Sequence, residues 1–171
     1  MKFIIILTFF ISSLFAFGES IQSFEADFVQ TITDEQKKIL TYKGTIHSKR
    51  PDLVLWHYKS PINKKIYLTK KRAVIVEPDL EQAIIKRLQG EIDFFGILAS
   101  AQRVDSSHYK AEYKDIKFIL REESGIITSL SYTDQLENKV LITFSAQKQN
   151  HPIEEYLFMP KVPKDFDIIK D

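Results

Sequence analysis

Hydrophobic residues recur at every second position through most of the chain. Across residues 24–30, Phe24, Ala26 and Phe28 share one parity while Glu25 and Asp27 take the other, the pattern of a strand with one buried face. A polar turn at residues 33–38 follows. Tyr42, Gly44 and Ile46 then continue the alternation in a second strand, a natural hairpin partner for the first. Residues 44–85 read as short strands at 44–48, 53–58, 64–69, 73–76 and 82–86. They are broken at Arg50-Pro51, Ser60-Pro61 and Glu77-Pro78-Asp79, and more weakly at Lys70-Lys71. Proline removes a ladder donor and biases its predecessor toward extended geometry, so each break fits a strand end or a turn. Val54, Trp56 and Tyr58 share the buried parity. Leu53 and Leu55 fall on the opposite face with His57, so that face is not fully polar.

The rhythm changes after Leu88. Residues 90–100 predict a short helix with Asp93 as N-cap and Phe94, Phe95 and Leu98 on one face. Gly96 weakens it by about 1 kcal/mol relative to Ala, so its apolar face must lie on something, as a lid or plug across a sheet. Strands resume at 109–113, 117–121, 126–133, 139–147 and 154–159, with turns at Glu123-Ser124-Gly125 and Glu137-Asn138. The tail from Pro160 is broken by prolines and carries the apolar pair Ile168-Ile169. No repeat, low-complexity tract or linker interrupts the chain, which reads as one domain over residues 19–171. About eleven strands with one helix predict a strongly curved or closed antiparallel sheet.

Residues 1–18 stand apart from this pattern. Lys2 precedes a mostly apolar run over residues 3–15, and Ala16 and Gly18 are small residues at the −3 and −1 spacing of a secretory signal peptide cleaved after Gly18. The run is shorter than the roughly 20 residues of a spanning helix. Removing Lys2 brings 24 basic residues to 23, against 23 acidic ones. A neutral mature chain gives nucleic-acid binding no support. The chain has no Cys, which excludes disulfides, thiolate metal sites and a lipid-modified cysteine anchor. An exported, soluble protein is expected.

Candidate catalytic groups are sparse. His47, His57, His108 and His151 have no metal-ligand spacing, and no G-x-S-x-G occurs. Glu122-Glu123 and Glu154-Glu155 are adjacent pairs whose side chains would diverge on a strand. The basic runs Lys64-Lys65 and Lys70-Lys71-Arg72 read as solvated turns, or as contacts to an acidic partner or anionic head groups. No metal or cofactor is expected. The apolar residues say more. Five of thirteen Phe lie in residues 1–18, leaving eight beside Trp56 and seven Tyr. A curved sheet with one strongly apolar face and one short helix to cover it can form a concave hydrophobic-ligand site.

One motif set adds a family. Arg50-Pro51-Asp52-Leu53-Val54-Leu55-Trp56-His57-Tyr58, then Pro61, then Pro78-Asp79-Leu80-Glu81-Gln82 resembles the signature of LolA, the periplasmic carriers of outer-membrane lipoproteins. Ser23-Phe24-Glu25-Ala26-Asp27-Phe28-Val29-Gln30 is similar to the family's S-F-x-A-x-F-x-Q opening. Pro163-Lys164-Asp165-Phe166-Asp167-Ile168-Ile169 is similar to its terminal P-x-G-x-D-V-I.

The resemblance implies a mainly β fold: an unclosed antiparallel β-barrel whose apolar cavity is covered by a short helical lid. That cavity would hold a lipoprotein's acyl chains between an inner-membrane ABC transporter and an outer-membrane acceptor, with the carrier a periplasmic monomer. Arg50 matches the family arginine that latches the lid through lid backbone carbonyls, and Phe94, Phe95 and Leu98 match the lid. From the early strands the cavity is expected to take Phe24, Phe28, Ile46, Val54, Trp56 and Tyr58. Ile66, Leu68, Val74 and Val76 would follow, and the later strands would add Phe118, Leu120, Leu130, Ile142 and Phe144. Three departures stand out. After cleavage following Gly18 only five residues, 19–23, would precede Phe24, so the family's N-terminal lid helix is expected to be absent or vestigial. Lys70-Lys71 replaces a frequent Asp-Gly turn, and Asp165 replaces a Gly. The alternative on the same fold is a periplasmic carrier or sensor of another lipid or glycolipid.

Overall fold

The structure is a computed structural model and describes residues 17–88 and 94–170. The proposed signal peptide therefore lies outside the described residues except for Phe17 and Gly18, and so does the proposed N-cap Asp93.

Strand β1 (Ser23–Thr33) buries Phe24, Ala26 and Phe28 and exposes Asp27, as its alternation requires. It pairs along its whole length with β2 (Ile39–Lys49), joined by the tight turn at Asp34–Lys38 in which Lys37 takes a left-handed backbone. The meander continues through β3 (Leu53–Ser60), β4 (Lys64–Leu68), β5 (Arg72–Glu77) and β6 (Gln82–Arg87). The β4–β5 turn closes through the Thr69 hydroxyl and backbone without a left-handed residue, so Lys70 and Lys71 fit in place of the frequent Asp-Gly. Helix α1 (Phe94–Ser100) interrupts the strands. Next come β7 (Gln102–Arg103), β8 (His108–Tyr113), β9 (Ile116–Glu123), β10 (Ile126–Thr133) and β11 (Lys139–Gln149). The last strand is β12 (Asp167–Lys170).

Among the described residues these form one sheet in the order β12-β6-β5-β4-β3-β2-β1-β11-β10-β9-β8-β7. Every pairing is antiparallel except β12 with β6, which is parallel. The edges β7 and β12 do not pair with each other, so the sheet is an unclosed barrel, as expected. The register shifts where β1 meets β11 between Glu25 and Asp27, where β2 meets β3 at Lys43/Gly44 and where β10 meets β9 at Ile127/Ser129 are bulges, with the extra residue in β11, β3 and β10 respectively. Each adds local twist and helps the sheet curl. Gly44 lies opposite both Phe28 and Tyr58. A Cβ there would collide with the His57 carbonyl and the Phe28 ring, so glycine makes room for the aromatic residues above it.

Two expectations need correction. The strand expected at 154–159 is instead a 3₁₀ turn, Glu155–Phe158. Leu157 and Phe158 are sequence neighbours, and both pack against the sheet with Ile153. A strand would point one of them away, whereas a tight turn brings both down. The second concerns Val74 and Val76, expected in the cavity. Val74 pairs with Tyr67, which pairs with Leu55, so these residues and Val76 lie on the opposite face from Trp56. The physical reason is that the hydrophobic run of β5, Ala73-Val74-Ile75-Val76, has no polar residue to mark parity. Register puts Ile75, paired with Ile66, on the Trp56 side.

Both faces of the sheet therefore carry a core. The inner one gathers residues of β1–β3 and β8–β11 around α1. The outer one joins Leu55, Tyr67, Val74, Val76 and Ala83 to Ile153 and Phe158 of the tail. The tail is tied at its start: Asn150 N donates to the Ser23 carbonyl at 3.0 Å, and Gln22 N donates to Asn150 Oδ1 at 2.7 Å. Ser23 Oγ donates to the His151 carbonyl at 2.6 Å, and Lys49 Nζ to that of Ile153 at 3.1 Å.

Candidate binding trough

The inner face is a trough with two different ends. At one end Phe24, Ile46 and Val54 are sealed, at 0–2 % exposure, beneath α1. Phe94 of α1 stacks obliquely on Phe24 with ring centroids 5.5 Å apart, and meets Phe95 edge-on at 5.6 Å. Ile97 and Leu98 are also buried. A seven-residue helix with an internal glycine has little intrinsic stability, so this packing holds it in place.

Arg50 stands beside that cover, just after β2. Its Nε donates to the Ile21 carbonyl at 2.8 Å and its Nη2 to the Gly18 carbonyl at 2.7 Å. Its guanidinium lies 4.8 Å above the Phe95 ring centroid. The accepting carbonyls differ from the expected ones of the lid helix: they belong to the N-terminal segment that packs on α1, and the helix itself is reached through the Phe95 ring. Gly18 is seated so closely on α1 that a Cβ would collide with the Leu98 carbonyl. Arg50 thus ties the N-terminal turn and the lid helix to one point, with planar donors suited to unpaired carbonyls.

At the other end the lining turns aromatic and polar. Trp56 and Tyr58 are half-buried and each meets Phe28 edge-on, at 5.0 and 5.2 Å. Tyr42 meets Tyr58 at 5.8 Å. Tyr58 Oη donates to Gln30 Oε1 at 2.9 Å, and Lys64 Nζ lies 5.3 Å from the Tyr58 ring centroid. From across the trough Tyr132 packs on Phe118 at 5.1 Å. Burial, and then the neighbouring phenols of Tyr132 and Tyr42, push the Tyr58 hydroxyl well above its ordinary pKa. Burial followed by Asp134 does the same to Tyr132. Both phenols stay protonated at neutral pH.

Of the residues expected in the cavity, the inner core holds Phe24, Phe28, Ile46, Val54, Phe118, Leu120, Leu130, Ile142 and Phe144, with Trp56, Tyr58 and Leu68 packed against it. Ile66 is paired with Trp56 and shares its side. Sequence reasoning missed Ile21, Gln30, Tyr113 and Tyr132. Gln30 continues the parity of Phe24, Ala26 and Phe28, and Tyr132 that of Leu130, so parity alone would have found these two. A separate groove of about 1330 Å³ crosses the outer face along the row Gln102, Lys110, Ile119, Ser131, Leu141 and Thr31.

Comparison with known proteins follows this geometry. Residues 19–114 match the family model for the outer membrane lipoprotein carrier protein LolA. The chain is 38 % identical over 153 residues to the outer-membrane lipoprotein carrier protein of Wolinella succinogenes, covering 89 % of each chain. It is 32 % identical over 169 residues to that of Campylobacter jejuni, covering 99 % of each. Among solved structures, an uncharacterized conserved protein from Thermus thermophilus shares the fold with a TM-score of 0.55 at 10 % identity, over 91 % of this chain and 94 % of that one. A LolA superfamily protein from Nitrosomonas europaea gives 0.50 at 13 % identity, over 82 % and 91 %. The trough and its cover thus belong to an unclosed-barrel carrier. The chain is a member of the outer membrane lipoprotein carrier protein LolA family.

Proposed function

We propose that this chain is exported to the periplasm, binds the acyl chains of lipoproteins released from the inner membrane by an ABC transporter, and hands them to an outer-membrane acceptor. It acts as a monomer and by binding alone, without catalysis. The observation that supports this reading most is the cover of the trough: α1 and the N-terminal turn meet at Arg50, through two hydrogen bonds and one ring contact. A triacyl anchor has roughly 45 methylenes, and exposing them at about 0.8 kcal/mol each would cost tens of kcal/mol. A carrier need only exchange one apolar surface for another. Acyl chains that displace α1 would take over its contacts with Phe24 and its neighbours.

Export adds a detail. Cleavage after Gly18 removes the carbonyl that Arg50 Nη2 holds and leaves Ile21 and Phe95 as its partners. Mass spectrometry of the protein extracted from periplasm tests the whole reading. Bound triacylated lipoprotein and an N-terminus at Glu19 are expected. A co-purifying glycolipid with no lipoprotein would overturn the cargo assignment.

A further inference from the structure

The half-exposed end of the trough carries polar groups in a lining otherwise made of hydrocarbon and rings. Gln30 is only 8 % exposed, and its carbonyl oxygen is already occupied by the Tyr58 hydroxyl. Its amide nitrogen has no hydrogen-bond partner among the described residues, and neither do the hydroxyls of Tyr42 and Tyr132. The three residues share the inward parity of adjoining strands: Gln30 pairs with Tyr42 and, through Ile142, lines up with Leu130, two residues from Tyr132, while Tyr42 meets Tyr58. The groups left over are mainly donors: two amide N–H and two phenol O–H, with the Lys64 ammonium above Tyr58.

Leaving such donors unmatched against an apolar ligand is costly, so a bare hydrocarbon chain is a poor complement. An acyl ester is a good one. It brings a carbonyl acceptor and no donor, and the carbonyl sits where the chain meets its polar head. We propose that Gln30, Tyr42 and Tyr132 form a donor site for the ester carbonyls at the head of bound acyl chains. The chains then run from these residues toward Phe24 and α1. This rests on the carrier reading above and adds to it a fixed depth and direction for the cargo.

The test compares two probes of equal chain length, dipalmitoylglycerol and its ether counterpart dihexadecylglycerol, delivered from cyclodextrin. Fluorescence of Trp56, the one tryptophan in the chain, reports their binding. The wild-type protein should bind the ester about tenfold more tightly, the worth of one or two net hydrogen bonds. Tyr42→Phe combined with Tyr132→Phe removes two donors at nearly constant shape and should bring the ester-to-ether ratio close to one. Gln30→Met is the second variant, with unfolding curves to show that both fold. Equal wild-type affinity for ester and ether would overturn the donor site while leaving acyl-chain binding intact. So would an ester preference that survives both variants. If neither probe binds, the carrier reading fails together with this one.

Discussion

The two faces of β3–β6 are both apolar, yet they are covered in different ways. On the outer face, Leu55, Tyr67, Val74 and Val76 lie under Ile153 and Phe158. That cover is tied down by main-chain and side-chain bonds from Ser23, Gln22 and Lys49, and it ends in a strand laid parallel to β6. On the inner face the cover is seven residues of helix with Gly96 at the third position, tethered through Arg50. A segment bound by many backbone hydrogen bonds opens only with the surrounding structure, whereas one held by packing and a few side-chain bonds opens locally. Apolarity alone therefore does not mark a binding face. How firmly its cover is attached does.

The strongest way to break this comparison is to empty each face in turn. Phe158→Ala and Phe28→Ala each remove a ring buried to 5 % exposure or less, and each should cost about 3–5 kcal/mol in urea unfolding. They should part on retention of radiolabelled diacylglycerol through gel filtration. The folded fraction of Phe158→Ala should hold lipid as the wild type does, whereas Phe28→Ala should lose much of it. Equal lipid losses would mean that the outer core also lines the cargo site.

How much of this was legible in sequence follows from the same contrast. Strands with a polar parity, such as Phe24-Glu25-Ala26-Asp27-Phe28, declared their inner face, and the motif around Arg50 led to the unclosed barrel. The doubly covered strands did not, because β5 is apolar on both sides and only pairing with β4 separates Val74 from Ile75. The tail's turn and the edge strand β12 escaped for a related reason. Leu157-Phe158 and Ile168-Ile169 are adjacent apolar pairs with no period of their own, and the sheet they join determines their form. The polar residues of the trough were visible by parity but not by type, since Gln at an inward position ordinarily argues against burial.

The next largest effect concerns the inner cover alone. In the exported chain, replacing Arg50 by Leu removes the charge-assisted bond to Ile21 and the Phe95 ring contact, the bond being worth about 1.5–3 kcal/mol. It also adds apolar surface where the cargo enters. Loading from a donor membrane should survive, but delivery to the acceptor should slow by roughly tenfold or more, since each 1.4 kcal/mol is a factor of ten. Arg50→Lys should fall between, with the charge kept and the planar fork lost. A two-step transfer assay checks this. Wild-type rates of both steps in Arg50→Leu would mean that the inner cover does not depend on its tether.

The smallest effect sharpens the comparison from the outer side. His57 pairs across the sheet with Thr45 and Lys65, on the face opposite Trp56. Its pKa lies below 6.5, first through burial and then through the Lys65 charge. An Asn63 hydrogen bond opposes this, while Lys59 and His47 add to the lowering. Because folding lowers the pKa, the unfolded chain binds the proton more readily between the two values, and stability rises with pH across that window. The contribution is complete above 6.5 and fades as pH falls toward the folded value. His57→Gln should flatten this part of the stability profile between about pH 5 and pH 7, by well under ~1 kcal/mol because the group is largely solvent-screened. Urea midpoints at the two pH values measure the slope. Lipid retention in the variant should match wild type at both, since His57 lies on the outer face. A loss of lipid approaching that of Phe28→Ala would place His57 in the trough and reverse the face assigned to every residue of β3.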